Sequence, residues 1–172
     1  MTERTEYRQS RFTRPPGACE ILLVRHGESQ AAVPGQPFPT VDGHGDPPLR
    51  EPDGVEQARL ACRRLIASGE DIAAVYVTTL QRTRQTAQVL VDHLGVEPVV
   101  EPDLREVHLG EWEGGEFRKR AADADPIIVR MWEEQRWDVI PGAEPAEVFA
   151  KRVRAGVERI PTAPSRCSPT AA

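Results

Sequence analysis

Three short stretches of this 172-residue chain concentrate side chains able to do chemistry on an anion. The first is Leu23-Val24-Arg25-His26-Gly27-Glu28-Ser29, where an apolar run ends directly in a guanidinium, an imidazole and a glycine. In an open α/β sheet, ligands bind beyond the carboxyl ends of the strands, so His26 stands where a nucleophile or base is useful. Arg25 adds a planar cation suited to a phosphate or carboxylate, and Gly27 permits a tight turn close to a ligand. The second stretch, Thr78 to Ala87, follows another apolar run and delivers Arg82 to the first turn of an expected helix. The N-terminus of such a helix itself favours an anion. Arg84 lies half a turn away, so at most one of the two arginines faces the pocket. The third stretch runs from Leu104 to Gly114. It offers, with its neighbour, the carboxyls of Asp103, Glu106, Glu111 and Glu113. A carboxyl kept partly protonated near a phosphate could act as a general acid, but spacing alone does not choose among the four.

These residues need elements to hold them. Ile21 to Val24 reads as a short buried parallel strand ending in a functional loop. Ala31 to Arg50 is a Pro/Gly/Asp loop too long for a mere connector. From Gly54, the residues Val55, Ala58, Cys62, Leu65 and Ile66 form one face of a helix that stops near Ser68-Gly69. Ile72 to Val77 is the second expected strand, and Leu80 to Leu94 the next helix, closed by Gly95. Val96 to Val100, with Pro98 inside it, suits an edge strand. Further helices are expected from Pro126 to Trp137 and from Pro145 to Ile160, the latter with Phe149, Val153, Val157 and Ile160 on one face. This alternation describes an α/β layered fold with a largely parallel sheet. Residues 1–18 read as a flexible leader, 19–160 as one domain, and 161–172 as a disordered tail without large apolar side chains.

Composition narrows the function. Charged residues are 28% of the chain, and 22 Lys+Arg against 27 Asp+Glu leave a net charge of -5. That balance argues against a general nucleic-acid or membrane-surface binder, which would carry a basic excess. No apolar run approaches the ~18 residues of a spanning helix, and the first twenty residues lack the apolar core of a signal peptide. A cytoplasmic protein is the expectation. Cys19, Cys62 and Cys167 are scattered and unpaired in sequence, which points to neither a disulfide framework nor a zinc site. No metal and no cofactor are expected.

Taken in order, the motifs resemble those of the histidine phosphatase superfamily, which includes cofactor-dependent phosphoglycerate mutases and many small phosphatases. The resemblance runs from about Glu20 to Ile160. It rests on R-H-G-E-S at Arg25–Ser29, Asp46-Pro47-Pro48-Leu49 with Gly54 and Gln57-Ala58, L-x-R-x-x-x-T-A at Leu80–Ala87, and L-x-E…G-x-W-E-G at Leu104–Gly114. It implies a three-layer α/β/α fold of the phosphoglycerate mutase type. It further implies that His26 accepts the phosphoryl group, that Arg25 and Arg82 bind its oxygens, and that Glu106 protonates the leaving alcohol. Gly27 and Ser29 would border the bound substrate, a small phosphorylated molecule. The implied activity is a phosphomonoesterase-type phosphohydrolase. The alternatives are a mutase-type phosphotransferase, or an inactive phosphate-binding relative or fragment.

Two departures from the family pattern stand out. Ala32 occupies a position where many members carry a phosphate-contacting Asn. The family's second His-Gly pair, at the end of its last core strand, has no counterpart, because the four histidines are His26, His44, His93 and His108. The expectation is therefore a fold lacking the strand that carries that histidine, from a reading frame truncated or shifted after Ile160, with activity reduced accordingly. Of the other histidines, His44 lies in a loop beside the pocket, as a substrate contact or a surface residue. His93 suits the end of a helix, and His108 the pocket rim.

Overall fold

The computed structural model describes Thr13, Pro15, Pro16 and residues 18–161. The expected leader and tail lie almost wholly outside the described residues. The best-defined pair of elements is α1 (Asp53–Ser68) with α2 (Gln81–Leu94), which pack against each other. Their sequences explain the pairing. The buried residues of α1 are Gly54, Ala58 and Cys62, one every four positions, so one narrow face of small side chains admits α2 closely. Facing it, α2 buries Arg82, Thr86, Leu90 and Val91, and Cys62 donates from Sγ to the Thr86 carbonyl at 3.0 Å. Asp53 and Glu56 sit in the first turn of α1, where negative charge suits the helix dipole. Both helices stop within a residue or two of the expected positions.

Inside the long Ala31–Arg50 loop, strands β1 (Thr40–Val41) and β2 (His44–Gly45) form an antiparallel hairpin. Its two turn residues, Asp42 and Gly43, both have positive φ (50° and 82°), the requirement of the tight turn that matches strand twist. Beyond α1, β3 (Tyr76–Val77) pairs in parallel with β4 (Val99–Val100), Tyr76 opposite Val99 and Val77 opposite Val100. The α/β class is thus present, with parallel pairing around an intervening helix.

The sheet is smaller than the sequence suggests. Ile21–Val24 is not a strand, and it is not buried: Leu23 is 92% exposed and its three neighbours are above 40%. A parallel strand is buried by partners on both sides, and no described strand runs alongside this segment. The expected strand at Ile72–Val77 is likewise reduced to two residues.

Beyond β4, a short 3-10 turn (Pro102–Leu104) leads through the Glu106 loop into a second one (Gly110–Gly115), then α3 (Glu116–Ala122) and α4 (Pro126–Glu134). Asp125 caps α4 by accepting from Ile127 N at 2.9 Å, with Pro126 at the first helical position. The helix ends three residues before Trp137 because Gln135 turns left-handed, φ 54°. Trp112, Ile128, Met131 and Ile140 form a buried cluster here, so Trp112 is core while Trp132 and Trp137 remain exposed. The last helix, α5 (Ala146–Glu158), falls inside its expected limits. Arg152 on α5 donates to the carbonyls of Asp103, Arg105 and Glu106 at 2.8, 2.8 and 2.9 Å, pinning the loop that carries Glu106. No helix among the described residues is long and apolar enough to cross a membrane.

Candidate active site

His26 lies in a cleft of about 490 Å³ lined by Arg25, Gly27, Glu28, Ser29, Gln57 and Arg118. Backbone stitching holds its loop in place. Gln30 N donates to Pro48 O and Arg50 N to Glu28 O, each at 2.8 Å. Gly27 is wedged against the start of α1, where a Cβ would collide with the Gly54 carbonyl oxygen. Its N–H donates to Thr86 Oγ1 at 3.2 Å, while Thr86 Oγ1 donates to Arg82 O at 2.8 Å. One face of α2 therefore positions both the histidine loop and the arginine beside it.

The two bonds of the imidazole define its protonation. Nδ1 lies 2.7 Å from Gly27 O, and a carbonyl can only accept, so the proton sits on Nδ1. Nε2 then carries the lone pair, and it accepts from Arg82 Nε at 3.2 Å. Burial pushes the His26 pKa below its ordinary value, and the charges of Arg82 and Arg25 push it further; the Gly27 bond and Glu106 oppose them. The imidazole is neutral at pH 7 and aims its unprotonated Nε2 at Arg82.

Arg82 is 8% exposed, and Nη1 also donates to Gly45 O at 3.0 Å, which ties the β1–β2 hairpin to the site. Burial lowers its pKa, opposed by the fields of Asp46, Glu106 and Glu113. Arg84 is exposed and lines a separate groove, so Arg82 is the one arginine of the pair that turns inward. Arg25 is exposed along the cleft wall.

The four candidate acids separate by what they touch. Glu113 is spent on backbone, accepting from Gly45 N at 2.6 Å and Leu109 N at 2.8 Å. Asp103 pairs with Arg159, and Glu111 is exposed on the second 3-10 turn. Glu106 alone of the four has a charge that reaches both His26 and Arg82 while its second carboxyl oxygen meets no donor among the described residues; Oε1 accepts from Val107 N at 2.9 Å.

Ser29 is buried, its hydroxyl accepting from Arg118 Nη2 at 2.6 Å. His44 is neither a surface residue nor part of the cleft wall. It is 8% exposed on β2 and packs edge-on against His108, ring centres 4.9 Å apart. The hairpin turn folds its ring inward, and its neighbour Gly45 is what meets Arg82. His108, expected at the rim, braces the loop by accepting from Gly110 N at 3.0 Å through Nδ1. His93 is exposed in the last turn of α2, as expected.

Gln57, Thr86 and Arg118 were not singled out as site residues. Gln57 Oε1 accepts from Glu28 N at 2.8 Å. The signal for Thr86 was its four-residue spacing from Arg82, which puts both on one helix face. Arg118 carried no such signal, because its helix meets the cleft only through tertiary packing.

The site thus joins, on an α/β scaffold, an imidazole hydrogen-bonded to Arg82, a cleft lined by Arg25 and Arg118, and the Glu106 carboxyl whose field reaches His26. The chain belongs to the histidine phosphatase superfamily, branch 1, whose family model matches residues 21–167. It is 33% identical over 144 residues to a probable phosphoglycerate mutase, GpmB, of Photorhabdus laumondii, covering 81% of this chain and 61% of that one. A solved mycobacterial glucosyl-3-phosphoglycerate phosphatase, in complex with VO3, matches with TM-score 0.59 and 29% identity over 77% of this chain and 62% of that one. The alpha-ribazole phosphatase of Shigella flexneri has the same fold, with TM-score 0.58 at 24% identity over 79% of this chain and 64% of that one. The chain thus spans less than two thirds of the length of these relatives. Phosphatases and mutase-like proteins both stand among them.

Proposed function

We propose that the chain is a phosphohydrolase of the phosphomonoesterase type that works through a phosphohistidine on His26. The observation that carries this reading is the hydrogen-bond pattern of the imidazole: Nδ1–H on Gly27 O, and Nε2 left as the lone pair beside Arg82 Nε. In the first step Nε2 attacks phosphorus in line, and the bond from phosphorus to the leaving oxygen breaks. Arg25 and Arg82 hold the charge on the equatorial oxygens, and Glu106 gives its proton to the departing alkoxide. In the second step Glu106, now a carboxylate, takes a proton from water as the water oxygen attacks phosphorus. The P–N bond breaks, inorganic phosphate leaves, and His26 is again neutral. The Gly27 carbonyl stabilises the positive charge that the ring carries while phosphorylated.

The substrate on this reading is a small phosphorylated molecule. Similarity to the Photorhabdus protein favours a mutase-type transfer as the second reading. The test is incubation with a phosphorus-labelled aryl phosphate followed by rapid acid-free denaturation. Label that is lost in acid and absent from His26→Ala supports the phosphohistidine, and steady release of inorganic phosphate supports hydrolysis over transfer. Label retained in His26→Ala overturns the assignment.

A further inference from the structure

Arg118 enters neither the sequence motifs nor the mechanism above, yet it lines the same cleft as His26 and Arg25. We propose that Arg118 is a third guanidinium of the phosphoryl pocket, presented from α3 to the anion that binds at His26. The proposal rests on the cleft being a phosphoryl site.

The first argument is charge. Arg50, Arg120, Arg152 and Arg159 are each matched to a carboxylate at salt-bridge distance. Among the described residues, Arg118 has no carboxylate within 4.0 Å. Glu28, the acid that lines the same cleft, is taken by Arg50 at 2.8 Å. Arg25 and Arg118 therefore line one cleft, with Arg82 bonded to His26 beside it, and among the described residues none of the three has a carboxylate at salt-bridge distance; their mutual repulsion falls when an anion enters.

The second argument is orientation. Arg118 Nη2 donates to Ser29 Oγ at 2.6 Å, and Nη1 donates to Gln30 O at 2.5 Å and Ser29 O at 3.4 Å. The guanidinium also lies over the Phe38 ring, 5.3 Å from its centre. A guanidinium has five N–H donors, so these three bonds fix its plane and leave donors over for a ligand. Its charge is felt at Arg82, and partial burial lowers its own pKa.

The third argument is how α3 comes to lie there. Gly115, which precedes α3, has φ 104°, and a Cβ on it would come within 3.0 Å of the Ala32 methyl and 3.1 Å of Phe38 Cε2. Small residues at positions 32 and 115 let the start of α3 close over the His26 loop.

The test uses the full chain with inorganic phosphate as the probe, titrated by calorimetry at low ionic strength, alongside kcat/KM on an aryl phosphate. Arg118→Gln keeps a donor for Ser29 Oγ without the charge. We expect phosphate binding at least tenfold weaker and kcat/KM reduced by a similar factor, with Arg118→Lys restoring part of both. Arg120→Ala, on the same helix but paired with Glu116 and Asp125, should leave phosphate binding unchanged. A folded Arg118→Gln that binds phosphate as wild type does overturns the proposal and leaves Arg118 as a tether. Wild type that binds no phosphate overturns the phosphoryl reading of the cleft and this proposal with it.

Discussion

Arg82 is the residue through which stability and catalysis can be separated most cleanly. Truncation to Ala removes the bond to His26 Nε2 at 3.2 Å and the bond to Gly45 O at 3.0 Å, from a side chain that is 8% exposed. Hydrogen bonds from a charged donor contribute about 1.5–3 kcal/mol each, and the two act on one side chain, so the combined loss is about 2–4 kcal/mol. For a domain of this size each kcal/mol is worth about 2–4 °C, so Tm should fall by roughly 4–16 °C. Turnover should fall further. Losing one preorganised donor to a transferring group costs about 10²–10³ in kcat. Arg84→Ala is the internal control: two positions away and exposed, it should change stability by less than about 0.5 kcal/mol and leave kcat alone. Arg82→Lys keeps the charge but not the fork that spans His26 and Gly45, and should recover melting temperature more than turnover. Thermal melts by circular dichroism and initial rates on an aryl phosphate measure both quantities. Wild-type kcat in a destabilised Arg82→Ala protein would falsify the catalytic role, and a larger loss in Arg84→Ala would show that α2 presents the opposite face.

Glu106→Gln should slow alkyl phosphates by about 10²–10⁴ while barely affecting nitrophenyl esters, whose leaving groups need no proton; equal loss on both classes rules Glu106 out as the acid. Gly27→Ala drives a methyl into the Gly54 carbonyl oxygen, backbone against backbone, and should cost about 1–3 kcal/mol or more as well as shifting His26. Unchanged melting and turnover in that variant would refute the close approach. The Arg159 guanidinium holds the Glu101 carboxyl down to about 2, well below the usual carboxylate range. A carboxyl depressed on folding stabilises above its unfolded pKa and loses that contribution as pH falls toward its folded pKa. The melting-temperature gap between wild type and Arg159→Ala should therefore be full at pH 6 and shrink between about pH 4.5 and 2. A gap that stays constant across that range contradicts the pairing.

Helix boundaries and the grouping of Arg82 with His26 were legible because both depend on local rules. The face Val55, Ala58, Cys62 and the stop at Gly69 follow from helical period and capping, and α1 ends where they say. Arg82 could be paired with His26 because both follow apolar runs. The Asp42-Gly43 dipeptide was a hairpin signal inside a stretch read as plain loop, and reading it would have located β1, β2 and the inward turn of His44. Separating the four candidate acids was beyond spacing, because it depends on which carboxyls the backbone and Arg159 had already engaged.

Alone, the sequence determined the chemistry on offer: a histidine after an apolar run, two arginines and an acid in a fixed order, on helices whose periods are written in their residues. Tertiary structure decided which of those groups meet and what the ladder could not complete. Ile21–Val24 has the composition of a buried strand, but burial is a property of neighbours, and no described strand flanks it. In the same way Arg118 is an unremarked basic residue on a short helix until α3 folds over Ala32 and brings it beside His26. Local propensity acts through adjacent residues along the chain, whereas a site is made by groups tens of residues apart, and only packing sets the distances between them.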